Sequence, residues 1–325
     1  MLELAKMHSA IELGQPGKWQ RWWQRAVLIA AAVSWNGVAA QPVVRYTSNS
    51  KQSDVIVVAH QDDWQLFLGD VAAARAARGP TTFIYLTAGD DGRDSTYWLT
   101  REKAALKSTR IALGAGGRGE FACGVINARA HPIRECTLGD SKSFFLRLPD
   151  GKRNGRGFSR YGNQSMRKLR VGNIPVITAV DSSTTYKGWN DLAATVAALI
   201  DTSANESTTV HTMDPNVAVN PHDHFDHRIA GALIETLRGG RPWRVRYYVG
   251  YALSSRAPNR SNEQVRAKTA LFLAYDEEVQ RTNPQWSAYR EHPAFYSQCL
   301  LRTYARSPKA ETTKSGRRSP SAVIR

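Results

Sequence analysis

The stretch Asp54-Val-Ile-Val-Val-Ala59-His60-Gln61-Asp62-Asp63 decides the fold. Asp54 to Ala59 is a continuous run of mostly β-branched residues, which forms a strand buried on both faces rather than an amphipathic one. Leu66 to Ala77 follows with a composition rich in Ala and Arg, which is helical. The cluster His60 to Asp63 therefore falls in a strand-to-helix turn. In open α/β sheets ligands bind outside the carboxyl ends of the strands. His60 and Asp63, three residues apart, can share one ion while Asp62 turns toward whatever the ion holds. Read alone, the same residues also fit an ordinary helix cap with acids at a positive dipole end.

A second cluster, His222-Asp223-His224-Phe225-Asp226-His227, lies 164 positions on (227 − 63) and precedes the helical stretch Ile229–Leu237. Four of the eight histidines, His211, His222, His224 and His227, fall within 17 residues. Together the clusters offer two imidazoles and a carboxylate for one borderline cation. A spare carboxylate and a spare imidazole remain for proton transfer and charge stabilisation. That is the inventory of a metal hydrolase.

The pair Ala59-His60-Gln61-Asp62-Asp63-Trp64 and His224-Phe225-Asp226-His227 resembles the two signatures of the PIG-L/LmbE-like zinc-dependent N-acetylglucosaminyl deacetylases. Thr87-Ala-Gly-Asp90, Arg101, Leu146–Gly151, Tyr161–Ser165, Tyr247–Tyr251 and Lys268–Asp276 are similar to the family as well, so the resemblance spans about residues 52 to 300. It implies one divalent ion, zinc, on His60, Asp63 and His227. It implies Asp62 as general base, His224 as a cationic oxyanion stabiliser and acid, and Asp226 as the residue orienting a histidine. Arg101 and Asp150 match positions that contact the sugar. Amide hydrolysis needs these types: a nucleophile at neutral pH, an oxyanion partner, and a proton for a poor leaving group. Gln61 and Trp64 stand where the signature has Pro and Glu. Gln61 should only loosen the turn, and Trp64 either packs in the core or walls a sugar face.

Strand candidates Phe83–Thr87, Pro175–Val180 and Val245–Val249 alternate with helical stretches Leu99–Leu113, Asp191–Asp201 and Ile229–Leu237. Alternation of this kind predicts an α/β fold, a Rossmann-like, mostly parallel sheet with helices on both faces and the metal site at the strand carboxyl ends. Residues 1–40 read as a signal peptide, with Arg21-Trp-Trp-Gln-Arg25 ahead of the apolar Ala26–Trp35 and small residues at Val38-Ala39-Ala40. Residues 41–305 read as one catalytic domain and 306–325 as a disordered basic tail. The expected location is outside the cytoplasm, periplasmic or secreted, with no stable membrane span. In that setting Cys123 and Cys136, in a loop containing Gly and Pro, can form a disulfide, leaving Cys299 over.

The net charge is +16, and removing residues 1–40 (+4 − 2) and 306–325 (+6 − 1) still leaves +9. Such a protein concentrates anionic envelope polymers around itself. Eight Lys/Arg between Arg147 and Arg170, mixed with four glycines, suggest a mobile basic loop beside Asp150. No nucleic-acid module is evident. Three functions fit: a zinc deacetylase acting on an N-acetylated amino sugar or glycan, an amidase on a non-sugar substrate, and a non-catalytic glycan- or polyanion-binding protein on the same fold. The intact Asp62 and His224 favour the first two.

Overall fold

The structure, a computed structural model, describes residues 52–308. Strand β1 (Asp54–Val58) is wholly buried and pairs in parallel with β2 (Thr81–Thr87) on one side and β8 (Thr209–Met213) on the other. Beyond β2 lies β5 (Ser141–Leu148), and beyond β8 lies β9 (Arg244–Tyr248), both also parallel. The antiparallel hairpin β3 (Ala122–Ala128) and β4 (His131–Leu138) extends one edge, and β10 (Ala305–Arg306) closes the other. The order is thus β10-β9-β8-β1-β2-β5-β4-β3, a mostly parallel sheet as the sequence predicts.

Alternation within the strands assigns two cores, because successive side chains point to opposite faces. Ile56, Val58, Phe83 and Tyr85 pack with helices α1 (Asp63–Ala76), α2 (Ser95–Ala112) and α5 (Asn262–Thr282). Val55, Val57, Ile84 and Leu86 pack with α3 (Gly188–Asp201) and α4 (Phe225–Leu237) on the other face. Burial on both faces explains why β1 carries an unbroken apolar run. No helix among the described residues is long and apolar enough to cross a membrane.

Three expectations change. Cys123 and Cys136 do form a disulfide, but from directly opposed positions of the β3–β4 hairpin rather than from a loop. Exposed Ala122–Val125 in the edge strand β3 and Pro132 in β4 hide the hairpin from a reading by apolar pattern. Pro175–Val180 supplies strand β6 (Val176–Thr178), which pairs only with β7 (Thr185–Lys187) in a separate two-stranded ribbon outside the main sheet. Arg306, placed at the head of the basic tail, belongs to β10 and forms a bidentate pair with Asp214 at 2.6 and 2.7 Å. Residues 1–40, read as the signal peptide, and 309–325 of the tail lie outside the described residues.

Lys268 of α5 is fully buried beneath the segment that leads into β10. Its ammonium donates to the Cys299 and Arg302 carbonyls and to Thr303 Oγ1. Burial lowers its pKa to about 7. We expect Lys268→Met to destabilise the fold by about 3 kcal/mol, because it strands three buried acceptors. The folded chain gives up this proton near pH 7 and the unfolded chain only near about 10.4. Between those values the unfolded state binds more protons, so stability from this group rises with pH. Urea denaturation of parent and variant at pH 7 and pH 9 reads both effects.

Candidate functional site

The sheet order creates a crevice at β1. From β1 the chain moves to β2 on one side, whereas β8 and β9 lie on the other, so the loops after β1 and after β8 diverge above a switch point. His60 to Asp63 follow β1, and Asp214 to His227 follow β8. The two clusters therefore meet. Asp62 holds the helix N-cap position but makes no capping bond with its side chain, so the ordinary-cap reading fails there. Asp63 reaches back instead, and its Oδ2 accepts the His60 N–H at 2.7 Å. Gln61 does not loosen the turn: its amide donates to the Thr87 carbonyl at 2.9 Å, tying the turn to the end of β2.

His60 Nδ1, Asp63 Oδ1 and His227 Nε2 form a small triangle. The sides are 3.4 Å from His60 to Asp63, 3.2 Å from His60 to His227, and 3.0 Å from His227 to Asp63. Ligands about 2.0–2.1 Å from a tetrahedral ion lie roughly 3.3–3.4 Å from one another, so the triangle has the size of one face of such a site. All three residues are nearly or wholly buried. His227 Nδ1 lies 3.0 Å from Asp223 Oδ1, which also accepts the Tyr251 N–H, while Asn220 donates to Asp223 Oδ2 at 2.6 Å. A proton held at Nδ1 by this carboxylate leaves the Nε2 lone pair aimed at the triangle.

The opposite edge of the His60 ring faces a second group. His60 Nε2 lies 3.5 Å from Asp150 and 3.8 Å from Asp226, and has no hydrogen-bond partner. His224 Nε2 lies 3.6 Å from Asp150. Asp226 Oδ2 accepts the Gly151 N–H at 2.7 Å, and a Cβ at Gly151 would fall 2.4 Å from Asp226 Oδ1, so only glycine lets the two approach. Two overlapping sets of donors can thus hold a metal: His60, His224 and His227, or His60, Asp150, His224 and Asp226.

Charge follows proximity. Burial opposes ionisation of His60 and His227, but the Asp63 carboxylate overrides it, with Asp226 and Asp150 helping at His60 and Asp223 at His227. His60 is held well above the usual range and His227 is raised to about 10. Burial likewise opposes the Asp63 carboxylate, yet the two imidazoles hold it well below its ordinary value. Burial and then the charge on His60 lower His224 to about 4. Geometry agrees, since His224 Nδ1 accepts the Asp226 N–H at 3.2 Å and so carries no proton there. That acceptor role at Nδ1 leaves Nε2, 3.6 Å from Asp150, as the nitrogen that carries a proton.

Arg101, buried on α2, gives Asp62 its orientation. Its Nη2 donates to Asp62 Oδ1, its Nε to the Tyr275 hydroxyl at 2.6 Å and its Nη1 to the Gly89 carbonyl at 2.6 Å. All three of its nitrogens are thereby engaged within the protein, and Asp150 is likewise turned toward His60 and His224. Gly89 adopts φ +56°, and a Cβ there would meet the Arg101 guanidinium at 2.4 Å. Asp62 keeps 19% of its side chain exposed, the most open carboxylate beside the triangle.

Other candidates fall elsewhere. His211 is buried in β8 between Asp54 and the Tyr248 hydroxyl, 2.8 Å from each, and His222 is exposed. Trp64 is fully buried, donates to the Tyr85 hydroxyl and packs on Phe83, so it cannot wall a sugar. The basic stretch 147–170 makes several contacts with its surroundings: Arg147 binds Glu102 bidentately, Arg160 and Tyr161 donate to the Gly92 and Arg93 carbonyls, and Arg167 covers Phe225. Sequence reasoning passed over Asp223, Tyr275 and Asp90. Asp90 Oδ2 accepts the Asp150 N–H, and burial pushes its pKa up to about 7 against that bond. Asp223 lies inside the His-Asp-His run, and Asp90 and Tyr275 lie inside segments similar to the family, so each had a signal but no assigned role.

No curated protein matches the chain. Among solved structures it is similar to GalB, the 4-carboxy-2-hydroxymuconate hydratase from Pseudomonas putida, at 14% identity and a TM-score of 0.36, covering 74% of this chain and 88% of that one. The conserved protein TT1542 from Thermus thermophilus gives 18% identity and 0.39, covering 79% and 92%. The N,N'-diacetylchitobiose deacetylase from Pyrococcus horikoshii, complexed with its inhibitor, gives 13% and 0.38, covering 91% and 93%. The family model for GlcNAc-PI de-N-acetylase, PIG-L, matches residues 55–237, which include both histidine clusters, Arg101 and Asp150. With more than half of its length inside that match, the chain belongs to the PIG-L family.

Proposed function

We propose that the protein is a zinc-dependent N-deacetylase that removes the acetyl group from an N-acetylated amino sugar or a glycan containing one. The observation that carries this reading is the triangle of His60 Nδ1, Asp63 Oδ1 and His227 Nε2, with sides of 3.0 to 3.4 Å and Asp62 beside it. These three residues would hold the ion, and the orphaned Nε2 of His60, facing Asp150 and Asp226, fits a ligand whose second nitrogen is supported by carboxylates. A divalent ion so bound supplies Lewis acidity and lowers the pKa of a water to about 7.

The chain's own groups do the rest. Asp62, fixed at Oδ1 by Arg101, takes the water's proton at Oδ2 and passes it to the amine nitrogen as the C–N bond breaks and acetate forms. His224 donates Nε2–H to the carbonyl oxygen as that oxygen gains charge. Asp226 orients His224 through its backbone N–H and holds the Gly151 loop with its carboxylate. Arg101 and Asp150 position Asp62 and the imidazoles, and their remaining polar edges are what a sugar hydroxyl can meet.

The deciding assay is acetate release from a panel of N-acetylated sugars and oligosaccharides, with and without chelator. Chelator-sensitive release is expected, and no release from any acetamide would end the proposal. In the same assay His224→Ala should lower kcat by about a hundredfold or more with a small change in KM. Equal rates for variant and parent would remove His224 from the mechanism.

We also infer an exported enzyme. The signal-like order of residues 21–40 and the opposed Cys123 and Cys136 support this. Intact mass of protein from its native host should lack residues 1–40 and fall two protons short of the reduced chain. Full-length, reduced protein would refute both.

A further inference from the structure

A groove of about 1080 Å³ opens at the far end of the sheet from the candidate metal centre, where the starts of β8 and β9, the end of α1 and the strand β10 meet. Its lining includes six arginines, Arg75, Arg238, Arg241, Arg244, Arg246 and Arg260, and neither Asp nor Glu. Carboxylates lie behind three of them: Asp54 beside Arg75, Asp201 beside Arg241 and Asp70 beside Arg260. Among the described residues, Arg244 and Arg246 hydrogen-bond only to neutral oxygens, the Ser207 carbonyl and the Ser307 hydroxyl. Both stand on β9 two residues apart and therefore project from the same face of the strand.

We propose that this groove binds a phosphate-bearing linear polyanion, of the kind presented by a phosphorylated glycan. The reasons are chemical. Guanidinium groups present planar pairs of N–H donors that match phosphate oxygens, and a groove lined by arginines without acids holds a net positive potential that such a chain neutralises. The protein's own sequence past Pro308 carries Lys309, Lys314, Arg317, Arg318 and Arg325 against Glu311 alone, so that segment is the wrong sign to fill it. Single-stranded nucleic acid fits less well, because the aromatic rings here are not free to stack on bases. Trp243 is 7% exposed with Arg241 over its ring, Tyr248 is 3% exposed, and Arg256 covers Tyr304.

Binding is measured with fluorescent full-length protein against three probes: phosphomannan, the same mannan after dephosphorylation, and a duplex DNA of mixed sequence, each at two salt concentrations. Phosphomannan should bind in a salt-dependent way, and the dephosphorylated polymer should not. Inorganic polyphosphate serves as a sugar-free arm, and binding equal to phosphomannan identifies phosphate alone as the determinant. R244A/R246A should weaken phosphomannan binding on the order of tenfold and shallow the salt slope, while R118A/R129A, an equal charge loss elsewhere on the surface, changes it less than about twofold. Acetate release from small N-acetyl sugars should stay at the parent rate in R244A/R246A, so loss of groove binding and loss of deacetylation are read separately. Equal weakening by the two double variants, tighter binding of DNA than of phosphomannan, or no binding to any phosphate polymer would each overturn the assignment.

Discussion

Replacing His227 with Ala is expected to strip the protein of its metal, from about one equivalent to less than a tenth, and to lower acetate release on the order of a thousandfold. The imidazole has two committed nitrogens. Nε2 closes the triangle with His60 and Asp63, and Nδ1 meets Asp223. Truncation removes one of three buried donors and leaves the Asp63 and Asp223 carboxylates facing each other across a void, so the apo variant should also melt earlier. Asp223→Asn makes a graded comparison. It disturbs the group that orients His227 without removing a donor, and should weaken metal binding about 10- to 100-fold. Metal analysis after dialysis against weak chelator, with circular dichroism to verify folding, reads both. A His227→Ala protein that keeps a full equivalent of metal would show that His227 is no ligand. Equal loss in the two variants would assign Asp223 to the ion as well.

The sequence exposes the parts of this molecule governed by local rules. An unbroken apolar run can be satisfied only between two covered faces, so β1 and its place in the centre of a parallel sheet are legible from Asp54–Ala59 alone. The spacing His60 to Asp63 is legible too, because it spans the tight turn from the strand into the helix. What depends on partners distant in the chain is not. The hairpin of β3 and β4 carries exposed residues and Pro132, and its pairing rests on contacts with β5 that no periodicity encodes. Arg101 reads as a substrate contact, but the bonds to Tyr275, 174 positions on, and to the Gly89 carbonyl that also hold it against Asp62 leave no local signal. Two aspartates in the His222–His227 run look interchangeable as supports for a histidine. Chain geometry separates them, since Asp223 meets His227 one helical turn on, whereas Asp226 turns its carboxylate to the Gly151 N–H. Trp64 follows the same lesson, as its position in the turn suggests a site wall and its burial against Phe83 and Tyr85 makes it core.

Asp62→Asn is expected to keep its metal and lose turnover by about a thousandfold, within the usual worth of a positioned base. The substitution is nearly isosteric, and its carbonyl oxygen can still accept from Arg101, so the clamp formed with Tyr275 and Gly89 is preserved. What disappears is the capacity to take a proton at the second oxygen. Because that event belongs to the transition state rather than to substrate binding, kcat should fall while KM moves little. Arg101→Met provides the complementary case, in which the carboxylate remains but loses its anchor. A smaller drop in kcat than in Asp62→Asn would place Arg101 as the residue that holds the base. Metal lost together with activity in Asp62→Asn would make Asp62 a ligand and exchange the roles of the two adjacent aspartates. A variant that hydrolyses acetamides at the parent rate with metal in place would move the base elsewhere, and Asp150, 3.5 Å from His60, would then be the carboxylate to test next.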